Sequence, residues 1–243
     1  MHPELSKSNW RLVPDFTFLV LSVGMLGLTG LEAFLPLAIN QGQRMSWITV
    51  IFACLVGWLG LLLTPKAGFP ALWSTEITAR KRFIEPFILG TGLGLVMFVI
   101  DLLHPLGSEA QTIFPDSLIV FSLAGLVEEI IVHLFLTTLL IWLISGLLLK
   151  NRHQVRVFWI VAIGIGILYW LLQISAVLNF FPEKFSLVLA LQILLVVVTT
   201  ITLGAYSFRK GGFLAALSLR YGFYLIWHII WGGGIGFVRY FLS

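Results

Sequence analysis

The chain has 243 residues, 59% of them hydrophobic and only 11% charged, with a formal net charge of +4. Its mean hydropathy of +1.01 excludes a soluble domain, which at this length needs far more polar surface. What remains is an all-α fold: a polytopic transmembrane bundle in one domain spanning 1–243. The single cysteine, Cys54, excludes an internal disulfide and any multi-cysteine metal site.

Stretches of about 20 apolar residues match the ~30 Å hydrocarbon core at 1.5 Å rise per residue. In chain order they predict seven spans: Phe16–Ile39, Met45–Thr64, Phe83–Leu103, Ser117–Leu149, Val157–Leu178, Phe185–Tyr206 and Phe213–Phe237. The first is too long for a signal-peptide core and lacks a clear cleavage site, which predicts a retained signal anchor. Lys and Arg orient the set. With the N-terminus inside, the inner segments carry Lys7, Arg11, Lys66, Arg80, Lys81, Arg82, Lys150, Arg152, Arg156, Arg209 and Lys210. The outer ones hold only Arg44, Lys184 and Arg239. This asymmetry accounts for the basic balance without a nucleic-acid surface, so no nucleic-acid partner is expected. The polar stretch Pro65 to Arg82 reads as a cytoplasmic surface segment with Trp73 at headgroup level.

The fourth span is unusual twice over. Its 33 residues make about 50 Å of helix, too long for ~30 Å of hydrocarbon at ordinary tilts. Either it breaks, at Gly125 or at Ser145-Gly146, or its leucine-rich end projects past the inner interface. It also carries Glu128, Glu129 and His133 among apolar residues, and a charge near mid-bilayer costs roughly 2.5–3.5 kcal/mol on insertion scales. A break at Gly125 would put the glutamates at a helix N-terminus, which favours negative charge.

On a helix Glu129 and His133 share a face, with Glu128 about 100° around. Adjacent carboxylates in a low-dielectric site titrate as a coupled pair, and a glutamate beside water suits general acid–base hydrolysis. The alternative is a buried Glu–His or Glu–Arg pair that fixes helix packing. His133, Gln173, His228 and Glu32 all fall about 16 residues, or ~24 Å, from the cytoplasmic ends of their spans. Arg220 is only about eight residues in, on a stripe with Tyr224 and His228 at spacings of four.

At these residues the chain resembles the CPBP family of intramembrane proteases, which includes the type II CAAX prenyl endopeptidases. That family shows E-E-x-x-x-R, then F-x-x-x-H on the next helix, then H-x-x-x-N after an R-T-G-S-like turn. Glu128-Glu129 match the first motif, with His133 where the arginine belongs. Tyr169 to Gln173 fits the second, with Tyr for Phe and Gln for His. Arg209-Lys210-Gly211-Gly212 resembles the turn. Spacing from it reaches Arg220 and Tyr224, whereas depth points to His228, followed four residues later by Gly232. Both registers stay open.

The resemblance covers about 83–232 and implies hydrolysis of a peptide bond by an activated water, directly or through a divalent metal such as zinc. It implies Glu128 as base or ligand with Glu129 as its partner, and a catalytic set completed by His133, Gln173, Arg220 and His228. Gln173 is a poor zinc ligand and Arg220 repels cations. A metal centre would therefore need Glu128 or Glu129, His133 and His228 to converge. Expected partners are membrane lipids and a membrane-protein or prenylated-peptide substrate, in a prokaryotic plasma membrane. Two other readings are carried: a non-catalytic scaffold or chaperone for membrane proteins or hydrophobic ligands, and a transporter relaying protons through Glu32, Glu128, Glu129 and His228. No inverted repeat supports transport.

Overall fold

The computed structural model describes residues 16–17, 47–103, 112, 114–150, 152–180 and 182–234. Six helices organise them, with no strand among the described residues. They are α1 (Trp47–Leu63), α2 (Arg80–Leu103), α3 (Asp116–Leu148), α4 (Gln154–Phe180), α5 (Leu187–Gly211) and α6 (Phe213–Gly233). Helices are what an apolar chain in hydrocarbon must form, because each satisfies its own backbone donors and acceptors.

By length and composition, α2 to α6 are each long and apolar enough to cross a membrane. They correspond to the last five expected spans. The second expected span is α1, whose 17 residues make about 26 Å of helix. The first lies outside the described residues beyond Phe16 and Thr17. These two pack inward: Phe16 meets Phe213 edge-on at 6.1 Å and Thr17 accepts from Trp58 Nε1 at 2.7 Å.

Successive helices alternate direction. At one end Gln154 Nε2 donates to Ala67 O at 2.9 Å, and the α5–α6 turn lies against Ala71 and Lys81. At the other, Phe114 N donates to Gly233 O at 3.3 Å and Trp170 Nε1 to Ala190 O at 2.9 Å. The α5–α6 turn is the single residue Gly212, whose φ of 77° suits glycine. The loop after α1 is largely at the surface but is anchored inward at three points. Ala67, Phe69 and Leu72 are buried, and Phe69 packs on Phe208 at 4.7 Å. Trp73 is exposed, with Arg82 over its ring at 5.8 Å.

Of the alternatives open for this long helix, a break at Gly125 is absent. The third helix runs on through Gly125 in ordinary α-geometry to Glu129, then widens to π-winding over Ile130–Thr137 and again over Trp142–Leu148. Threonines answer the first wide turn: Thr137 Oγ1 donates to Val132 O at 2.8 Å and Thr138 Oγ1 to His133 O at 3.2 Å. The helix is continuous from Asp116 to Leu148, with exposed leucines at its end. Leu147 and Leu148 are 55% and 75% exposed.

Helices α2 and α6 approach through glycine. A methyl added at Gly90 would overlap the backbone of Leu219, and one at Gly222 would overlap that of Phe87. Without lipid-driven helix association, such close backbone contact supplies the packing energy. Gly92, one turn-side away, has nothing within 4 Å. Gly90→Ala is therefore expected to lower thermal stability by roughly 1–3 kcal/mol through overpacking, whereas Gly92→Ala leaves it unchanged or raises it by up to about 1 kcal/mol. Thermal unfolding of the two variants in one detergent checks the contrast.

Candidate functional site

Glu129 and His133 project from α3 into the bundle and are wholly buried, and Arg220 from α6 is 4% exposed. Arg220 Nε donates to Glu129 Oε1 at 2.8 Å, and Nη1 lies 3.2 Å from Glu128 Oε1. The second oxygen of each carboxylate is also engaged. Tyr224 OH donates to Glu128 Oε2 at 2.5 Å, and His133 Nδ1 meets Glu129 Oε2 at 2.5 Å. Tyr169 of α4 lies beside Glu128 as well.

His133 closes the network onto α5, its Nε2 lying 3.0 Å from Ile201 O. Both ring nitrogens thus face acceptors, yet a neutral imidazole offers only one N–H. Two carboxylates thus share one guanidinium and one imidazole in a buried setting. Charges taken out of water are tolerated only when so paired and hydrogen-bonded.

Two glycines make room for it. A Cβ at Gly204 would lie 2.7 Å from His133 Cε1, and one at Gly125 would crowd Arg220, Tyr221 and Tyr224 at 3.2 Å. Gly125, expected to break α3, instead lets α6 lie against it. Tyr221 OH seals the same seam by donating to Ser122 O at 3.0 Å. Beyond this point α6 also widens to π-winding, from Leu225 to Gly233. Both motif-bearing helices therefore change their winding directly after the cluster, a position where π-turns commonly mark function.

Of the expected site residues, Glu128, Glu129, His133 and Arg220 come together. Gln173 does not: it is exposed on α4, and Tyr169, one turn earlier, takes the place facing Glu128. The His228 ring stacks on Phe121 at 3.8 Å and lies edge-on to Tyr224 at 4.8 Å. Of the two registers, Arg220 and Tyr224 occupy the glutamates. Glu32 falls outside the described residues. Sequence reasoning missed Tyr169 as a contact and missed α5 altogether, whose contributions are a backbone carbonyl and a glycine.

A metal does not fit this donor set. Among the described residues no three His, Cys, Asp or Glu side chains group to hold one, and the carboxylate oxygens already face a guanidinium, an imidazole and hydroxyls. No family model, curated protein or solved structure matches the chain.

Replacing Arg220 by methionine keeps much of its volume but strands a carboxylate in the core. Arg220→Met is expected to destabilise the chain by about 3–5 kcal/mol, seen as a large drop in thermal midpoint and membrane abundance. Gln173→Ala should stay within about 0.5 kcal/mol of the parent.

Proposed function

We propose that this chain is a non-hydrolytic membrane scaffold related in design to the CPBP proteases, with seven spans and a cytoplasmic N-terminus. One observation carries the reading: each carboxylate oxygen of Glu128 and Glu129 is engaged by Arg220, His133 or Tyr224. A general base must come within about 2.6–3.2 Å of the water it activates, and each of these oxygens already spends one of its lone pairs on a protein partner. Arginine, standing where the resemblance expects histidine, stays protonated and shuttles nothing.

The topology draws support from the end of the bundle where the α1–α2, α3–α4 and α5–α6 connections gather. Lys66, Arg80, Lys81, Arg82, Lys150, Arg152, Arg156, Arg209 and Lys210 lie in or beside those connections, and such loops stay in the cytoplasm. Support for a partner comes from Gln173. Its amide is exposed on α4 among Leu168, Leu171 and Leu172, themselves 50%, 51% and 58% exposed. An amide facing hydrocarbon favours a second transmembrane helix that hydrogen-bonds it, worth about 0.6–2 kcal/mol. The scaffold would thus hold another membrane protein along α4.

Hydrolysis keeps one point in its favour: the Glu128 side chain is 12% exposed while Glu129 is fully enclosed. The full-length chain in phospholipid nanodiscs, given a prenylated CAAX peptide and a transmembrane peptide, separates the two. The scaffold reading predicts no cleavage above a Glu128→Gln control, and a stoichiometric partner that survives mild solubilisation and is lost with Gln173→Leu. Cleavage that Glu128→Gln abolishes at unchanged abundance would establish the protease instead.

A further inference from the structure

Far from the glutamates, at the basic end, a cavity of about 40 Å³ is lined by Gly68, Phe69, Ile141, Gln154, Phe158 and Arg209. A water requires roughly 10–15 Å³ on this scale, so the space suits a few waters or one tetrahedral oxyanion. We infer that it binds the phosphate of an anionic phospholipid headgroup.

Arg209 supplies the charge. Its guanidinium lies over the Phe158 ring, 4.8 Å from the centroid. The guanidinium carries five N–H donors, more than one ring contact engages. No ion pair among the described residues involves Arg209. Gln154, whose amide ties the opposite wall to Ala67 O, opens the 27-residue α4, so the positive end of that helix adds to the field. The lining segments are uniformly basic. Residues 64–75, 138–168 and 187–212 contain Lys66, Lys150, Arg152, Arg156, Arg209 and Lys210 and not one Asp or Glu.

The source is a lipid because an apolar ledge begins six residues, about 9 Å, along α3 from the cavity's Ile141. The end of α3 that supplies Ile141 continues into exposed Leu147, Leu148 and Leu149 and then Lys150. Acyl chain and headgroup would thus be met by one continuous surface, at the interface where basic pockets between transmembrane helices capture phosphate headgroups.

Native mass spectrometry of the full-length chain, offered equimolar phosphatidylglycerol and phosphatidylcholine in detergent, tests this. Wild type is expected to retain phosphatidylglycerol about fivefold over phosphatidylcholine, the preference one basic group confers near a membrane surface. Arg209→Ala should erase the preference, as should Ile141→Phe, which fills the cavity and leaves every charge in place. Lys210→Ala, on the exposed neighbour, should retain it. Equal retention of the two lipids by wild type, or equal loss in Arg209→Ala and Lys210→Ala, would overturn the site. In a separate arm with inorganic phosphate alone, tight binding without lipid preference would reassign the cavity to a free anion and overturn the lipid assignment.

Discussion

Arg220 bridges two glutamates in a setting where neither could stand alone. Ionised groups withdrawn from water into a low-dielectric interior forfeit several kcal/mol each unless partners restore the lost interactions. The guanidinium is suited to this because its fixed fork reaches two acceptors at once. Nε serves Glu129 and Nη1 serves Glu128, while hydroxyls and the His133 ring take the remaining oxygens. Three helices are thereby bolted together: α3 supplies the acids, α6 the base and Tyr224, and α5 the carbonyl that orients His133. Tyr169 brings α4 to the same point.

The surrounding architecture follows from the need to bring these groups within hydrogen-bonding distance. Long polar side chains between helices need space, and here the space comes from absent side chains. Gly204 accommodates the imidazole and Gly125 the flank of α6. On the far side, Gly90 and Gly222 let α2 press against α6 and hold it in place. The extended winding after Glu129 and after Tyr224 belongs to the same region, with Thr137 and Thr138 satisfying carbonyls that the wider turns expose. Every carboxylate oxygen of the pair has a protein partner, which is the observation behind the proposal of cohesion rather than hydrolysis.

Much of this was legible in the sequence. Apolar runs located the helices α2 to α6, and the paired glutamates in the fourth run marked the centre. The alternative of a Glu–Arg pair fixing the packing was explicit from composition alone. Depth misled, because counting from each cytoplasmic end assumes helices of equal overhang. The α3 helix is longer than its neighbours, so Arg220, shallow in α6, still meets Glu128. Gln173 misled for a different reason. The α4 helix is apolar nearly all round, so periodicity carried no record of which face turns inward, and only motif spacing and depth placed Gln173 at the site. Gly125 was read for its backbone freedom when its use is the missing Cβ. The part played by α5 left no polar signature, since a carbonyl oxygen belongs to every residue.

The most direct test of the Arg220–Glu128 pair is a rescue. Thermal stability is measured for Arg220→Met, for Glu128→Gln, and for the two combined. Pairing of Arg220 with Glu128 predicts that the double variant, which keeps the Glu129–His133 contact, recovers at least half of what Arg220→Met loses. A double variant no more stable than Arg220→Met alone would mean that the guanidinium is not there to neutralise the carboxylate.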